Sequence, residues 1–144
     1  MIENNNPNWK PLVNIELRIY GQTPSKKSSQ AIIINKKTGK MMVIPNKKYM
    51  VWEKYAKFQL KEQKEKLGIE TIKEKVSVKC LIYRLTKRNI DLTNMLQSVH
   101  DVLEISGIIK DDYLIYSIDG SRKILGVGPG EERAEILVSI FDPF

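Results

Sequence analysis

One amphipathic helix pattern, set between two predicted strands, constrains this chain most. From Met95 onward, apolar side chains recur at the i, i+3, i+4 and i+7 spacing of a helix with one buried face. These positions are Met95, Leu96, Val99, Val102, Leu103 and Ile105. Gly107 is the expected helix stop. Apolar runs from Val76 to Leu85 and from Leu114 to Ile118 predict one strand before the helix and one after it.

Carboxylates stand at both ends of this helix. Asp91 lies just before the first turn, and Asp111 and Asp112 follow the Gly107 stop. A return of the chain, whether antiparallel or by a crossover, could bring the two acidic ends into one cleft. Mg²⁺ prefers oxygen ligands, and it offsets the charge that develops on a phosphodiester under attack by water. The pattern therefore matches a metal-dependent nuclease site.

Further polar residues lie along the same helix. Asn94, Gln97 and Asp101 fall at i, i+3 and i+7, on a face away from the apolar stripe. A purely structural interpretation stays open for all of these positions. In it, Asp91 caps the helix, the two aspartates after Gly107 form a solvated turn, and Asp101 is a surface residue.

The distribution of charge favours nucleic acid as a partner. Residues 1–90 hold 20 basic and 7 acidic side chains, whereas residues 91–144 hold 4 basic and 10 acidic ones. Between Pro24 and Lys57 there are nine lysines and one acid, Glu53. Such a surface attracts phosphates and steers a polyanion toward the protein. A solvated lysine-rich surface without a partner is the alternative.

The rest of the chain predicts one α+β domain over residues 1–144, with a mixed sheet and two main helices. Alternating apolar residues, flanking turn residues and helical spacing define the remaining elements. They are a strand from Leu12 to Tyr20, a loop from Gly21 to Gln30, a hairpin of Ala31 to Asn35 and Met41 to Pro45, a helix from Asn46 to Leu67 with Gly68 as its stop, and a strand from Ala134 to Phe141.

Several classes of protein are excluded at this stage. No segment approaches the roughly 20 apolar residues of a membrane span, and the polar start is no signal peptide, so we expect a soluble, cytoplasmic protein. Cys80 and His100 are each the sole residue of their type, which argues against a disulfide, a zinc site or a catalytic triad. We expect Cys80 to be a small core residue.

The order of these motifs resembles that of the RusA-like Holliday junction resolvases, endodeoxyribonucleases of bacteria and their prophages. The resemblance covers most of the chain and is sharpest from Lys87 to Asp112. It rests on a Pro-Ser-Lys-Lys loop, an Asp-x-x-Asn start of a helix, an aspartate within that helix and a Gly-x-x-x-Asp-Asp loop. Here these are Pro24 to Lys27, Asp91 to Asn94, Asp101, and Gly107 to Asp112.

This resemblance implies a homodimer that binds four-way DNA junctions and cuts them with Mg²⁺ or Mn²⁺. It implies that Asp91 and Asp112 ligate the metal directly, that Asp111 completes or orients the set, and that Asn94 and Asp101 support it. It also implies four contacts to the phosphate backbone, from Lys26, Lys27, Lys87 and Arg88.

Two positions depart from the family pattern. Thr93 stands where the family usually has a second aspartate, and Gln97 where it often has a lysine that helps catalysis. Loss of one carboxylate should weaken metal affinity. The alternatives are therefore a junction-binding or nucleic-acid-binding protein that has lost efficient catalysis, and a nuclease that acts on RNA or on other branched DNA.

Overall fold

A computed structural model describes residues 14–26 and 30–143. The fold is a single α+β domain with a mixed sheet and two helices, as the sequence predicts. Its elements in chain order are β1 (Asn14–Tyr20), β2 (Gln30–Ile34), β3 (Met41–Pro45), α1 (Lys47–Leu67), β4 (Val76–Arg84), α2 (Leu92–Ile105), a short 3-10 helix (Asp112–Leu114), β5 (Ile115–Ser117), β6 (Arg122–Leu125) and β7 (Arg133–Ile140).

The main sheet is built around β4. On one side β4 pairs antiparallel with β7, from Val76 opposite Ile140 to Tyr83 opposite Arg133, and β7 pairs antiparallel with β1. On its other side β4 pairs in parallel with β5 near its start and with β6 near its end. The chain therefore leaves β4, passes through α2 and returns to the same sheet as a parallel strand. Parallel neighbours need such a crossover.

Helix α1 follows the predicted bounds and covers the open edge of β1. The Asn46 side chain caps it by accepting a hydrogen bond from the Tyr49 backbone N–H at 2.9 Å. Gly68, at a φ of 62°, ends it in the left-handed conformation that favours glycine. The Gln63 side chain accepts from the Arg18 N–H at 2.8 Å and donates to its carbonyl at 2.7 Å. These bonds satisfy backbone groups that β1 would otherwise present at a sheet edge.

Helix α2 supplies the centre of the core. Its predicted apolar stripe is buried except for Ile105, which is exposed at the last turn. The helix begins at Leu92, earlier than the apolar spacing indicates, because Asp91 acts as its N-cap. After it, Gly107 adopts a φ of 76° and the chain turns back toward the sheet. Cys80 is fully buried in β4, as predicted.

Four details differ from the sequence predictions or lie beyond them. The predicted hairpin forms, but β2 and β3 make a two-stranded sheet of their own. Leu114 belongs to the 3-10 helix, so β5 starts one residue later than predicted. The sequence does not predict strand β6, because its four residues, two of them basic, show no alternation of polar and apolar side chains. Leu12 and Val13, at the predicted start of β1, lie outside the described residues.

Within the described part of the chain, neither helix combines the length and the apolar character needed to cross a bilayer.

Candidate functional site

Asp91 lies at the N-terminus of α2 with its carboxylate exposed. Its Oδ1 atom accepts hydrogen bonds from the Thr93 backbone N–H at 3.0 Å and from the Thr93 hydroxyl at 2.7 Å. These two bonds, helped by the positive charge of Lys123, lower the pKa of Asp91. The carboxylate is therefore ionised at neutral pH. The capping role that the sequence left as an alternative is present, and it occupies one of the two carboxylate oxygens.

A cavity of about 620 Å³ opens beside Asp91 and contains many donor groups. Both helices begin at its wall, because the N-cap of α1 and the N-cap of α2 line it. The N-terminus of a helix carries a partial positive charge, so two such ends favour an anion there. The lining residues are Gln22, Pro24, Ser25, Asn46, Lys48, Trp52, Arg84, Thr86, Arg88, Asn89, Ile90, Asp91 and Asn94.

A second group of carboxylates lies at the other end of α2. Oxygen atoms of Glu104, Asp111 and Asp112 all fall within 4.8 Å of one another. The Asp112 backbone N–H donates to Glu104 Oε1 at 3.3 Å. The Asp111 side chain caps the 3-10 helix by accepting from the Tyr113 N–H at 3.2 Å. We refer to these three carboxylates as the acidic cluster.

The acidic cluster has the electrostatics of a cation site. The hydrogen bond between the two aspartates, in which Asp111 is the acceptor, raises the pKa of Asp112, and burial and repulsion from Asp111 raise it further. Burial, followed by the nearby aspartates, raises the pKa of Glu104. The Tyr113 N–H instead lowers the pKa of Asp111. The cluster thus makes two of its three carboxyl groups harder to ionise, and a hard divalent cation with oxygen ligands would relieve the repulsion among them.

The two acidic ends do not meet within one chain. Helix α2 has 14 residues between Asp91 and Ser106. At 1.5 Å per residue it holds its two ends about 20 Å apart. Two oxygens that share one Mg²⁺ lie only about 4 Å apart, since each is about 2.1 Å from the ion. The crossover to β5 therefore brings Asp111 and Asp112 to Glu104 at the end of the helix, and not to Asp91 at its start.

Lys26 and Asp101 form an ion pair along the side of α2. The Lys26 backbone N–H also donates to the Asn94 carbonyl at 3.4 Å. The carboxylate of Asp101, mainly by its hydrogen bond, raises the pKa of Lys26. The sequence singled out Lys26 for phosphate contact and Asp101 for support of a metal. In this structure each side chain neutralises the other.

Of the other predicted DNA contacts, one lines the cavity, one is exposed nearby in sequence, and one is not described. Arg88 lines the cavity beside Asp91, together with the predicted site residue Asn94. Lys87 is exposed in the loop between β4 and α2 and lies against Gly126. Lys27 lies outside the described residues.

Sequence reasoning missed several residues of these sites, Glu104 and Arg84 among them. Glu104 joins Asp111 and Asp112, and its signal was its position one turn after Asp101 and just before the Gly107 stop. Arg84 lines the cavity beside Asp91. It ends an apolar strand, where nothing in the spacing distinguishes a buried arginine from an exposed one.

Both ends of α2 lie within a region that this chain shares with known nucleases. One end is next to the cations of the cavity, and the other holds the acidic cluster. The chain belongs to the endodeoxyribonuclease RusA family, whose sequence profile matches residues 23–138. A relative is the crossover junction endodeoxyribonuclease RusA of Aquifex aeolicus (strain VF5). The two chains are 33% identical over 110 residues, which are 76% of this chain and 82% of the relative.

Proposed function

We propose that this protein is a metal-dependent endonuclease that resolves four-way DNA junctions. The observation that carries the proposal is the arrangement on α2, in a member of this family, of an anion-attracting cavity at one end and the acidic cluster at the other. Phosphodiester cleavage needs both a place for the DNA backbone and a means to offset the charge of the reaction. The name of the Aquifex aeolicus relative supports four-way junctions as the substrate.

Mg²⁺, or Mn²⁺ in its place, is the proposed cofactor. Asp111 and Asp112 would hold it, with Glu104 as a third ligand, and Asp91 would complete the set. When bound, such an ion lowers the pKa of water and offsets the charge that develops on the phosphodiester. Asp91 suits this role because it is exposed and ionised, and its cap bonds fall on one oxygen. Asn94 would support the site from the wall of the cavity.

A site that contains both Asp91 and Asp112 requires two copies of the chain. About 20 Å of helix separates the two ends in one copy, so we propose a homodimer in which each site takes one end of α2 from each protomer. The outer face of α1 supports such pairing. Val51, Tyr55 and Phe58 follow one another at i, i+4 and i+7 and are 47%, 63% and 66% exposed. Exposed apolar stripes of this kind mark interaction surfaces.

The cations of the cavity region would hold the DNA backbone. Arg88 and Lys87 are proposed as direct phosphate contacts from the loop that leads into α2. Lys26 and Lys27 are proposed as contacts from the preceding loop. Lys26 would first have to release Asp101, whose carboxylate would then lose its cation near the acidic cluster.

One observation favours a second candidate, a junction-binding protein with weak or no cleavage. The end of α2 that holds Asp91 has Thr93 at the position of a second family carboxylate, and the Thr93 hydroxyl is already bonded to Asp91. A hydroxyl adds no negative charge for a cation. DNA binding would survive this loss, because the cations of the cavity do not depend on it.

A cleavage assay separates the two candidates. A labelled four-way junction and a matched linear duplex are incubated with the protein in Mg²⁺, in Mn²⁺ and in EDTA. Symmetric, metal-dependent nicks in the junction alone support the proposed nuclease, whereas tight binding without nicks in either metal supports the binder.

The same assay tests the role of Asp91. We expect Asp91→Asn to abolish cleavage and to leave junction binding unchanged or tighter, because asparagine caps a helix about as well as aspartate. Asp119→Asn, in an exposed turn, is the matched control and should cut as the wild type does. Loss of junction binding by a folded Asp91→Asn protein would contradict the assigned role.

A further inference from the structure

Arg84 is a buried cation that has no carboxylate partner in the described part of the chain. It is the last residue of β4, and only 9% of it is exposed. Its Nε donates to the Thr23 carbonyl at 3.2 Å, and its Nη1 lies 3.4 Å from the Thr86 hydroxyl. Among the described residues, no acidic side chain forms an ion pair with it. The guanidinium has five N–H donors, and these two neutral oxygen atoms accept only two of them.

A charge in this state normally has a counter-ion. Burial of a charged group is costly unless an opposite charge and hydrogen bonds compensate it. Burial, followed by repulsion from Arg88, lowers the pKa of Arg84. A guanidinium nevertheless keeps its proton. Arg84 thus stays charged, with the cation of Arg88 near it. The Asp91 carboxylate lines the same cavity, but it accepts from Thr93 and forms no ion pair with Arg84.

The surroundings of Arg84 are suited to an anion. Arg84, Arg88 and Lys48 line the same cavity, at whose wall α1 and α2 both begin. Trp52 also lines it, and its buried indole N–H has no hydrogen-bond partner in the described structure. Buried donors are normally satisfied, and an anion in the cavity would give this one an acceptor.

We propose that Arg84 anchors one phosphate of the DNA backbone in this cavity, with Arg88, Lys48 and the Trp52 indole N–H as its neighbours. That DNA is the ligand rests on the proposed function, whereas the anion site itself rests on the geometry around Arg84. Arginine suits the task because its planar fork can donate two parallel bonds to phosphate oxygens. A phosphate held here lies beside Asp91, so Arg84 acts as a positioning residue that sets which phosphodiester is next to the carboxylate.

The first test uses inorganic phosphate and sulfate without any divalent metal. The chain has two tryptophans, so a ¹H–¹⁵N spectrum should contain two indole N–H signals, and Trp52→Phe identifies that of Trp52. We expect either anion to shift the Trp52 signal in a saturable way. Arg84→Gln should abolish the shift, Arg84→Lys should weaken it, and Arg122→Gln, at an exposed position of β6, should leave it unchanged. An equal shift in Arg84→Gln and wild type would overturn the proposal.

The second test measures the binding of a four-way junction in EDTA over a range of salt concentrations. Loss of a charge-assisted contact predicts binding about ten- to a hundredfold weaker in Arg84→Gln. The slope of log affinity against log salt should fall by about one. Arg84→Lys retains the charge and should lose less affinity, which separates loss of the contact from a folding defect. Unchanged affinity and slope in Arg84→Gln would exclude a phosphate contact.

The outcomes separate this inference from the proposed function. If phosphate binds through Arg84 and the wild type cuts no junction in Mg²⁺ or Mn²⁺, the anion site stands and the nuclease proposal fails. If the wild type cuts junctions while Arg84→Gln binds phosphate and DNA normally, the nuclease proposal stands and the role of Arg84 fails.

Discussion

Two inactive variants should restore activity to each other if the catalytic site is shared between protomers. The experiment mixes Asp91→Asn chains with Asp112→Asn chains and refolds them together, so that mixed dimers form. In a mixed dimer, one site then combines both substitutions, and the other combines the intact Asp91 of one chain with the intact Asp112 of its partner. The prediction follows from the length of α2, whose two ends lie about 20 Å apart in one chain, with Asp91 at one end and Asp112 beside Glu104 near the other.

The size of the effect can be calculated from the symmetry. Random pairing of equal amounts makes about half of the dimers mixed, and each mixed dimer has one intact site of two, so about a quarter of all sites recover. The result should be single nicks instead of paired ones. If each site lay within one chain, no dimer in the mixture would contain an intact site.

The assay is nicking of a labelled junction, with the two variants alone and the wild type for comparison. A second readout is the number of Mn²⁺ ions bound per dimer, measured by calorimetry, which should recover in proportion to the nicking. The reverse control mixes the double variant Asp91→Asn/Asp112→Asn with the wild type. If the site is shared, each site of a mixed dimer takes one substituted residue from the double variant, so no mixed dimer has an intact site. If the mixture of single variants stayed inactive while protomer exchange was demonstrated, the shared site would be refuted.

Two further predictions concern the acidic cluster and the core. The surroundings of Glu104 raise its pKa, so its ionised form is less stable in the folded than in the unfolded protein and opposes folding at neutral pH. Without metal, Glu104→Gln should therefore unfold at no lower temperature than the wild type. Mn²⁺ at a hundred times its Kd should stabilise the wild type by about 2.7 kcal/mol, measured by thermal unfolding, and this gain should shrink in Glu104→Gln but not in the surface control Glu62→Gln. Burial raises the pKa of Cys80 to about 12, so its thiol should resist a disulfide reagent at pH 8 in the native protein and react fully in denaturant. Rapid native modification, or an undiminished Mn²⁺ gain in Glu104→Gln, would contradict these assignments.

The elements that the sequence predicted best were those with a strong local signal. Helix α1 has a cap at Asn46 and a stop at Gly68, and both are local interactions that the sequence displays. Strand β6 has no such signal, because its position depends on pairing with β4, whose partner residues lie some forty positions away in sequence. Non-local pairing decides such strands, and a pattern within four residues cannot reveal it.

The candidate site was predictable as a set of residues but not as an arrangement. The motifs around Asp91 and Asp112 are short and local, so the sequence displays them directly. Their separation depends on α2 being one continuous helix, because the chain returns to the sheet only from its far end, beside Glu104. The Lys26–Asp101 pair was hidden for the same reason, since 75 positions separate its members.

The arrangement of charge along α2 explains why two protomers would bring opposite ends together. The start of the helix has the positive end of its dipole and the cations of the cavity, whereas its last turn has the negative end and the acidic cluster. In a two-fold dimer, residue i of one chain meets residue j of the other, and j meets i. Two antiparallel copies of α2 would therefore place each acidic cluster against a cationic cavity, which attracts, whereas parallel copies would place like charges together. The same contact would bring the carboxylates of one chain to the phosphate proposed to be held by the other, so that pairing and assembly of the site become a single event.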